Sequence, residues 1–168
     1  MNKKTLILIV LFLLIGLYFI YYSNGVNEQP EDMGNSVKLY FSTKDAMYLK
    51  AERHEITSDL KFEETLNELI KGPDSASLNP TIPEGVKVLG LEVDKGTAFI
   101  NFNRALVENH WGGSTGEIMT VYSIVNTMTQ FPEISSVKIL IEGEQEETLV
   151  GHIDISVPLE RDEKIIKN

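Results

Sequence analysis

The sequence contains no cysteine, which excludes disulfide bonds and lipid attachment through a lipoprotein-type cysteine, so the folded part depends on its core for stability. Basic residues are also few: 15 Lys and Arg stand against 25 Asp and Glu, for a formal net charge of −10 at pH 7. A surface with this charge repels phosphate backbones and anionic lipid headgroups. Nucleic acid is therefore not expected as a partner.

Histidine is scarce and dispersed. His54, His110 and His152 are separated by 56 and 42 residues, without the close spacing by which metal sites are usually recognised. The acidic run from Glu142 to Glu147 lacks the ligand spacing of a calcium-binding loop and is interpreted as a solvated hairpin tip. No glycine-rich loop follows a strand in the way that a phosphate site requires. We predict no metal site and no cofactor.

One apolar run, residues 6–22, predicts a transmembrane anchor, since a helix of that length rises about 25 Å against a ~30 Å hydrocarbon core. The basic end at residues 1–5 carries Lys3 and Lys4, and the positive-inside bias places it in the cytoplasm. A signal peptide cleaved near Ser23 is the alternative, although the run exceeds the ~7 to 15 apolar residues typical of one. Both interpretations place the remainder outside the cytoplasm.

The rest of the chain divides by composition into three parts. Residues 23–35 are rich in Gly, Pro, Asn and acids, which is typical of a flexible linker. Residues 36–160 have the length of a single domain with its own core, and residues 161–168 form a charged tail.

Hydrophobic periodicity in residues 36–160 predicts the element order ββαββαββ. The predicted strands lie at 37–42, 47–56, 86–93, 97–103, 137–141 and within 149–159. Asp59 is expected to cap the first helix, which Gly72 and Pro73 end. This order predicts an α+β two-layer sandwich, with two helices on one face of a mixed or antiparallel sheet.

The second predicted helix begins at Ser114, which forms an S-x-x-E capping box with Glu117. Its apolar stripe consists of Ile118, Val121, Tyr122, Val125 and Met128. The helix is expected to end at Phe131 and Pro132.

Ser114 also lies in a G-x-S-x-G pattern, which is typical of hydrolase nucleophiles. His152 follows, and Glu133 or Glu142 could serve as the intervening acid of a triad. However, a nucleophile elbow requires the serine directly after a strand, and the preceding strand is predicted to end near Asn103, 11 residues earlier. We therefore interpret Ser114 as a helix cap and predict no catalytic residue.

His110 and Trp111 precede this helix in an irregular segment. Trp is enriched at interface hot spots, so the pair is a candidate for stacking on a sugar or binding a protein. The alternative is that Trp111 covers the end of the core, and we favour it because Trp side chains are usually well buried.

Five segments together resemble the GerMN domain family across roughly residues 37–159. They are VKLYF at 37–41, LIKGP at 69–73, IPEGVKVLGLEVDKGTAFINF at 82–102, GSTGEIMTVYSIVNTMTQFPEISSVKILIEGE at 113–144 and GHIDISVPL at 151–159. The resemblance implies a non-enzymatic domain similar in fold to the ring-building motif of bacterial secretion systems, a helix-strand-strand-helix-strand unit. It implies no catalytic residues, and it implies a role in sporulation, spore germination or the Gram-positive cell envelope.

Together these observations predict a membrane-anchored extracytoplasmic domain that binds envelope or sporulation-complex proteins, or a second copy of itself. The alternatives are a module that binds cell-wall glycans through Trp111 and a small serine hydrolase using Ser114.

Overall fold

Residues 36–167 form two β-sheets and three α-helices in the computed structural model, which also describes Asn2, Ile15 and Tyr18. The chain divides into two units, Met1–Gly34 and Asn35–Asn168, and every element named below belongs to the second. The predicted span at 6–22 and linker at 23–35 lie outside the described residues, Ile15 and Tyr18 excepted. Among the residues described, no helix has both the length and the apolar character needed to cross a membrane.

The first sheet has three antiparallel strands in the order β2-β1-β3. They are β1 (Ser36–Thr43), β2 (Leu49–Glu55) and β3 (Leu78–Asn79). The predicted hairpin of β1 and β2 is confirmed, because Ser36 pairs with Glu55 and Ser42 with Leu49.

The second sheet has four strands in the order β4-β5-β6-β7. They are β4 (Val88–Asp94), β5 (Thr97–Phe102), β6 (Ser136–Ile141) and β7 (Leu159–Glu160). The predicted β4–β5 hairpin is confirmed; its turn places Lys95 and Gly96 at φ 48° and 84°, a conformation that glycine adopts freely. Strands β5 and β6 are parallel, so a crossover connects them, and that crossover contains the second long helix.

The helices are α1 (Lys61–Lys71), the short α2 (Ala105–Glu108) and α3 (Ser114–Met128), and a 3₁₀ turn covers Glu163–Ile165. Helix α1 is amphipathic as predicted, burying Leu66 and Leu69. Helix α3 contacts β1 of the first sheet and β6 of the second, as well as α1. Side chains from both sheets and both long helices therefore share one core, whose largest fully buried members include Leu39, Phe41, Ile100, Phe102, Ile124, Met128 and Ile139.

The fold is α+β as predicted, but the prediction of two helices on one face of a single sheet was wrong, because there are two sheets in the described residues. Because α3 contacts a strand of each sheet, it is enclosed on nearly every side, and even its polar residues are buried. Those polar residues are Glu117, Thr120, Ser123, Asn126 and Thr127. A single apolar stripe on the sequence did not indicate this enclosure.

The cap predicted for α1 was also wrong. Leu60 occupies the N-cap position, without a side-chain cap hydrogen bond. Instead, the Glu64 carboxylate in the first turn accepts the backbone N–H of Ser58 at 2.7 Å and of Thr57 at 3.0 Å. These hydrogen bonds hold the pKa of Glu64 below its ordinary value.

The last predicted strand, within 149–159, is replaced by a loop that ends in the two-residue strand β7. Residues 161–168 were predicted as a charged tail, but residues 161–167 contact the body of the domain. Arg161 Nη1 donates to the Asn126 carbonyl at 2.6 Å, Asp162 N to Asn126 Oδ1 at 2.9 Å, and Lys167 N to the Leu49 carbonyl at 2.8 Å.

Side chains of α3 and of the residues just after it cover the edge of β1 that faces away from β2. Gln130 accepts the Lys38 N–H at 2.7 Å and donates to the Lys38 carbonyl at 2.9 Å. Thr127 Oγ1 accepts the Tyr40 N–H at 3.2 Å. These two side chains thus satisfy backbone groups that a neighbouring strand would otherwise bind.

Candidate binding site

Trp111 lies on the surface directly before α3. Its side chain is 53% exposed and stacks on His110, with ring centroids 5.3 Å apart and an angle of 28° between the ring planes. The preferred prediction, that Trp111 covers the end of the core, was therefore wrong.

Glycines around Trp111 fix its position. Gly112 and Gly113 have φ values of 78° and 79°, which turn the chain sharply into the helix. Gly116 lies beneath the indole, because a Cβ at this position would stand only 2.7 Å from Trp111 Nε1. The ring therefore rests against the first turn of α3, and no larger residue fits there without displacing it.

His110 is held by hydrogen bonds at both ring nitrogens. Nδ1 accepts the Gly112 N–H at 2.9 Å, so Nε2 carries the proton and donates to Thr120 Oγ1 at 3.1 Å. Thr120 in turn donates to the Thr81 carbonyl at 2.7 Å. Burial lowers the pKa of His110 and outweighs the opposing effect of Glu117, so the ring is neutral at neutral pH. A fixed, uncharged ring therefore supports the indole.

A cleft of about 360 Å³ opens beside the indole. We call it the Trp111 cleft; its lining residues are Ser42, Ala46, Asn79, Pro80, Trp111, Gly116 and Met119. The turn from β1 to β2, which supplies Ala46, also exposes 63% of Met47 and 39% of Tyr48. The sequence did not assign these residues to a site, because they come from three separate segments of the chain.

Ser114 and Glu117 do not form the predicted capping box. Gly113 is the N-cap of α3, Ser114 is its first helical residue, and no side-chain cap hydrogen bond forms. The Glu117 carboxylate is buried and accepts backbone N–H groups from Leu149 at 2.9 Å, Val150 at 3.0 Å and His152 at 2.8 Å. Glu117 therefore fixes the loop that follows the acidic turn, and the prediction of its capping role was wrong.

The candidate catalytic triad consists of Ser114, His152 and either Glu133 or Glu142, and the structure engages both acids elsewhere or leaves them exposed. Glu133 pairs with Lys61 at 2.6 Å, and Glu142 lies exposed in the turn after β6. Within residues 36–167, no hydrogen bond connects Ser114 to His152 or to either acid. The acidic turn is largely exposed, as predicted, with Glu146 paired to Arg104 at 3.1 Å.

The family described as "Germane: Sporulation and spore germination" matches residues 38–147, which is more than half of the chain. The chain belongs to this family.

Solved structures agree with this assignment. A candidate lipoprotein from Clostridium perfringens is 32% identical, with a TM-score of 0.56, over 74% of this chain and 86% of that protein. The first GerMN domain of the sporulation protein GerM from Bacillus subtilis is 26% identical, with a TM-score of 0.64, over 75% of this chain and 97% of that domain. The tandem GerMN domains of the same protein, 19% identical over 84% of this chain and 51% of that one, share the fold with a TM-score of 0.61. No curated protein matches the sequence.

Proposed function

We propose that this chain is a non-enzymatic, membrane-anchored protein of the bacterial cell envelope. Its extracytoplasmic domain binds another protein of a sporulation or germination complex through the Trp111 cleft. The observation that carries this proposal is the half-exposed indole of Trp111, which packs against Gly116 beside an apolar cleft. Residues 6–22 supply the anchor.

The composition of the cleft supports a protein partner. Aromatic residues and Met are enriched at protein interfaces, and Trp and Tyr are enriched among the residues that contribute most to affinity. The Trp111 cleft combines Trp111 and Met119 with the neighbouring exposed Met47 and Tyr48, and its lining carries no charged side chain. Burying the apolar area of this surface against a partner is favourable, because it removes that area from water.

The family and its relatives support the location and the process. The family is named for sporulation and spore germination, one relative is described as a candidate lipoprotein, and another is a sporulation protein. A lipoprotein and a single-span protein both attach an extracytoplasmic domain to the membrane. In this chain, whose sequence contains no cysteine, we propose the apolar run as the means of attachment.

Site-specific photocrosslinking in the native envelope tests the proposal. A photoreactive amino acid replaces Trp111 in one variant and Leu89 in the other; both native side chains are 53% exposed, and Leu89 lies on β4, outside the cleft lining. We expect a discrete protein adduct from position 111 and none from position 89. The same adduct from both positions, or none from position 111, would refute the proposed surface.

Binding to cell-wall glycans is the second candidate, because a single exposed indole can also stack on a sugar ring. Cosedimentation of the Asn35–Asn168 unit with purified cell wall distinguishes the two, since this unit has its own core. The protein-binding proposal predicts that Trp111→Ala leaves cosedimentation unchanged. A loss of cosedimentation in Trp111→Ala but not in Leu89→Ala would instead favour the glycan.

A further inference from the structure

A second group of polar side chains lies between β2 and the end of α1. Glu52 and His54 alternate on β2, so both side chains project from the same face of the strand. Their cross-strand partners are Leu39 and Val37, which are fully buried in the core. Ionisable residues thus occupy core-facing positions, where a strand usually carries apolar residues.

Side chains from α1 and the loop after it complete this group. Glu52, His54 and Asp74 each offer one possible ligand atom, and these three atoms lie within 4.8 Å of one another. His54 Nε2 is 2.8 Å from Glu52 Oε1, and its Nδ1 is 4.0 Å from Glu68 Oε2. The side chains of His54, Glu52 and Glu68 are only 9%, 16% and 21% exposed.

We propose that Glu52, His54 and Asp74 bind a divalent metal ion, with Zn²⁺ as the ion that this donor set favours. Zinc binds histidine nitrogen and Asp or Glu oxygen, and its catalytic sites combine three protein ligands with a fourth position open to water. The imidazole distinguishes this set from the all-oxygen sites of Mg²⁺ and Ca²⁺. Tetrahedral ligands at about 2.0 to 2.2 Å from the ion stand roughly 3.3 Å apart, so a small outward movement of Glu52 from His54 admits it.

The surroundings of His54 suit a metal ligand. A histidine bound to metal through one nitrogen usually directs the other nitrogen at a carboxylate, and here Nδ1 faces Glu68 when Nε2 faces the site. The ring also lies against Phe41, with centroids 6.2 Å apart, which restricts its rotation. Glu68 of α1 and Phe41 of β1 therefore both restrict the orientation of the imidazole.

Asp74 is the exposed member of the set. Its side chain is exposed, whereas its backbone N–H and that of Ser75 already bind the Glu52 carboxylate at 2.8 and 3.0 Å. The loop is thus attached to the strand before any ion is bound. An ion would use only the unoccupied coordination capacity of the two carboxylates, since each carboxylate oxygen has two lone pairs.

The site is tested by titrating Zn²⁺ into the untagged, chelator-treated Asn35–Asn168 unit, followed by competition with a fluorescent chelator and by thermal denaturation. We expect saturable binding of a single ion and a higher Tm in the presence of the ion. His54→Gln and Asp74→Asn should each weaken binding by roughly tenfold or more. Asp74→Asn keeps the backbone bonds to Glu52 and changes only an exposed side chain, so it remains informative if His54→Gln is unstable.

His152→Gln is the matched control, because it removes an exposed histidine far along the chain from these ligands. Its affinity for Zn²⁺ should equal that of the wild type. Absence of saturable binding in the wild type, equal weakening in His152→Gln, or unchanged affinity in Asp74→Asn would each overturn the proposal.

Discussion

The Glu117 carboxylate accepts the backbone N–H of His152 at 2.8 Å, 35 residues further along the chain. The same carboxylate binds the N–H groups of Leu149 and Val150 and is completely buried. One acidic side chain on the first turn of α3 thereby organises the loop leading to β7, which would otherwise have few backbone partners.

Replacing Glu117 with Gln tests this role. The amide keeps the shape but loses the charge and turns one acceptor into a donor, so at least one backbone N–H of the loop is left unpaired. We expect the free energy of unfolding to fall by about 1 to 3 kcal/mol. Urea denaturation measures this free energy. The control Glu147→Gln, at an exposed position in the acidic turn, should change the free energy of unfolding little. Equal effects of the two substitutions would contradict the assignment.

Replacing Gly116 with Ala should displace Trp111. The new Cβ would stand 2.7 Å from the indole Nε1, which is closer than real Cβ contacts allow. Because the chain contains only one Trp, its fluorescence reports on this ring directly. We expect a shift in the emission maximum, and the matched Gly90→Ala, whose Cβ meets nothing within 4 Å, should leave the spectrum unchanged.

Replacing Thr127 with Val should leave the Tyr40 N–H without its partner. The two side chains have the same shape, so the expected loss of about 1 to 3 kcal/mol in unfolding free energy measures the missing hydrogen bond. Thr127→Ser retains the hydroxyl and should lose clearly less. If the two variants are equally stable, the Thr127 hydroxyl does not contribute a stabilising hydrogen bond to the Tyr40 N–H.

Periodicity predicted most of the local structure. The β1–β2 and β4–β5 hairpins, the amphipathic α1 and strand β6 all lie close to their predicted positions, because each carries a regular apolar pattern. The prediction of the last strand was wrong for a physical reason. Ile153, Ile155 and Val157 alternate in the sequence as in a strand. However, the N–H groups of His152 and Ile155 bind the Glu117 carboxylate and the Glu147 carbonyl instead of a neighbouring strand.

The candidate site was only partly predictable. Trp111 was recognised as a candidate, but its exposure depends on Gly116, whose role requires the helix to be in place beneath the ring. The pairing of Glu52 and His54 with Asp74 depends on where α1 ends relative to β2. The arrangement of two sheets around α3 likewise arises from long-range contacts that no local pattern encodes.

A chain that ends at Glu160, the predicted end of the domain, should be less stable than the full Asn35–Asn168 unit. It loses the hydrogen bonds that residues 161–167 make to Asn126 and to the Leu49 carbonyl. We expect a loss of roughly 2 to 4 kcal/mol, since a typical net hydrogen bond contributes about 1 kcal/mol and bonds to charged groups more. A chain ending at Lys167 retains these bonds and serves as the control in thermal denaturation.

Glu52→Gln should alter the acid dependence of stability. Burial acts to raise the pKa of Glu52, but hydrogen bonds from His54 and from the N–H groups of Asp74 and Ser75 lower it more, to below the ordinary 4.5. A lowered folded pKa stabilises the fold above the ordinary value, and this stabilisation is lost as the pH falls through the folded pKa.

The difference in unfolding free energy between wild type and Glu52→Gln should therefore be largest above pH 4.5 and should shrink below it. The measurement uses urea denaturation across acidic pH in a chelating buffer, so that no bound metal contributes. His54, 2.8 Å from this carboxyl, and Glu68, 4.0 Å from His54, are unchanged in both proteins. A difference that stays constant down to strongly acidic pH would contradict the cause given for the shift.

The coverage of β1 by Thr127 and Gln130 limits how copies of this domain could polymerise. A growing fibre adds strands at an open sheet edge. On the far side of β1, the N–H groups of Lys38 and Tyr40 and the Lys38 carbonyl are already bound by the side chains of Thr127 and Gln130. Among the described strands, only β2 and β4 are longer than two residues and lie at the end of a sheet. Any chain of domains linked by shared strands would therefore propagate through those two strands, in a direction set by the angle between the two sheets.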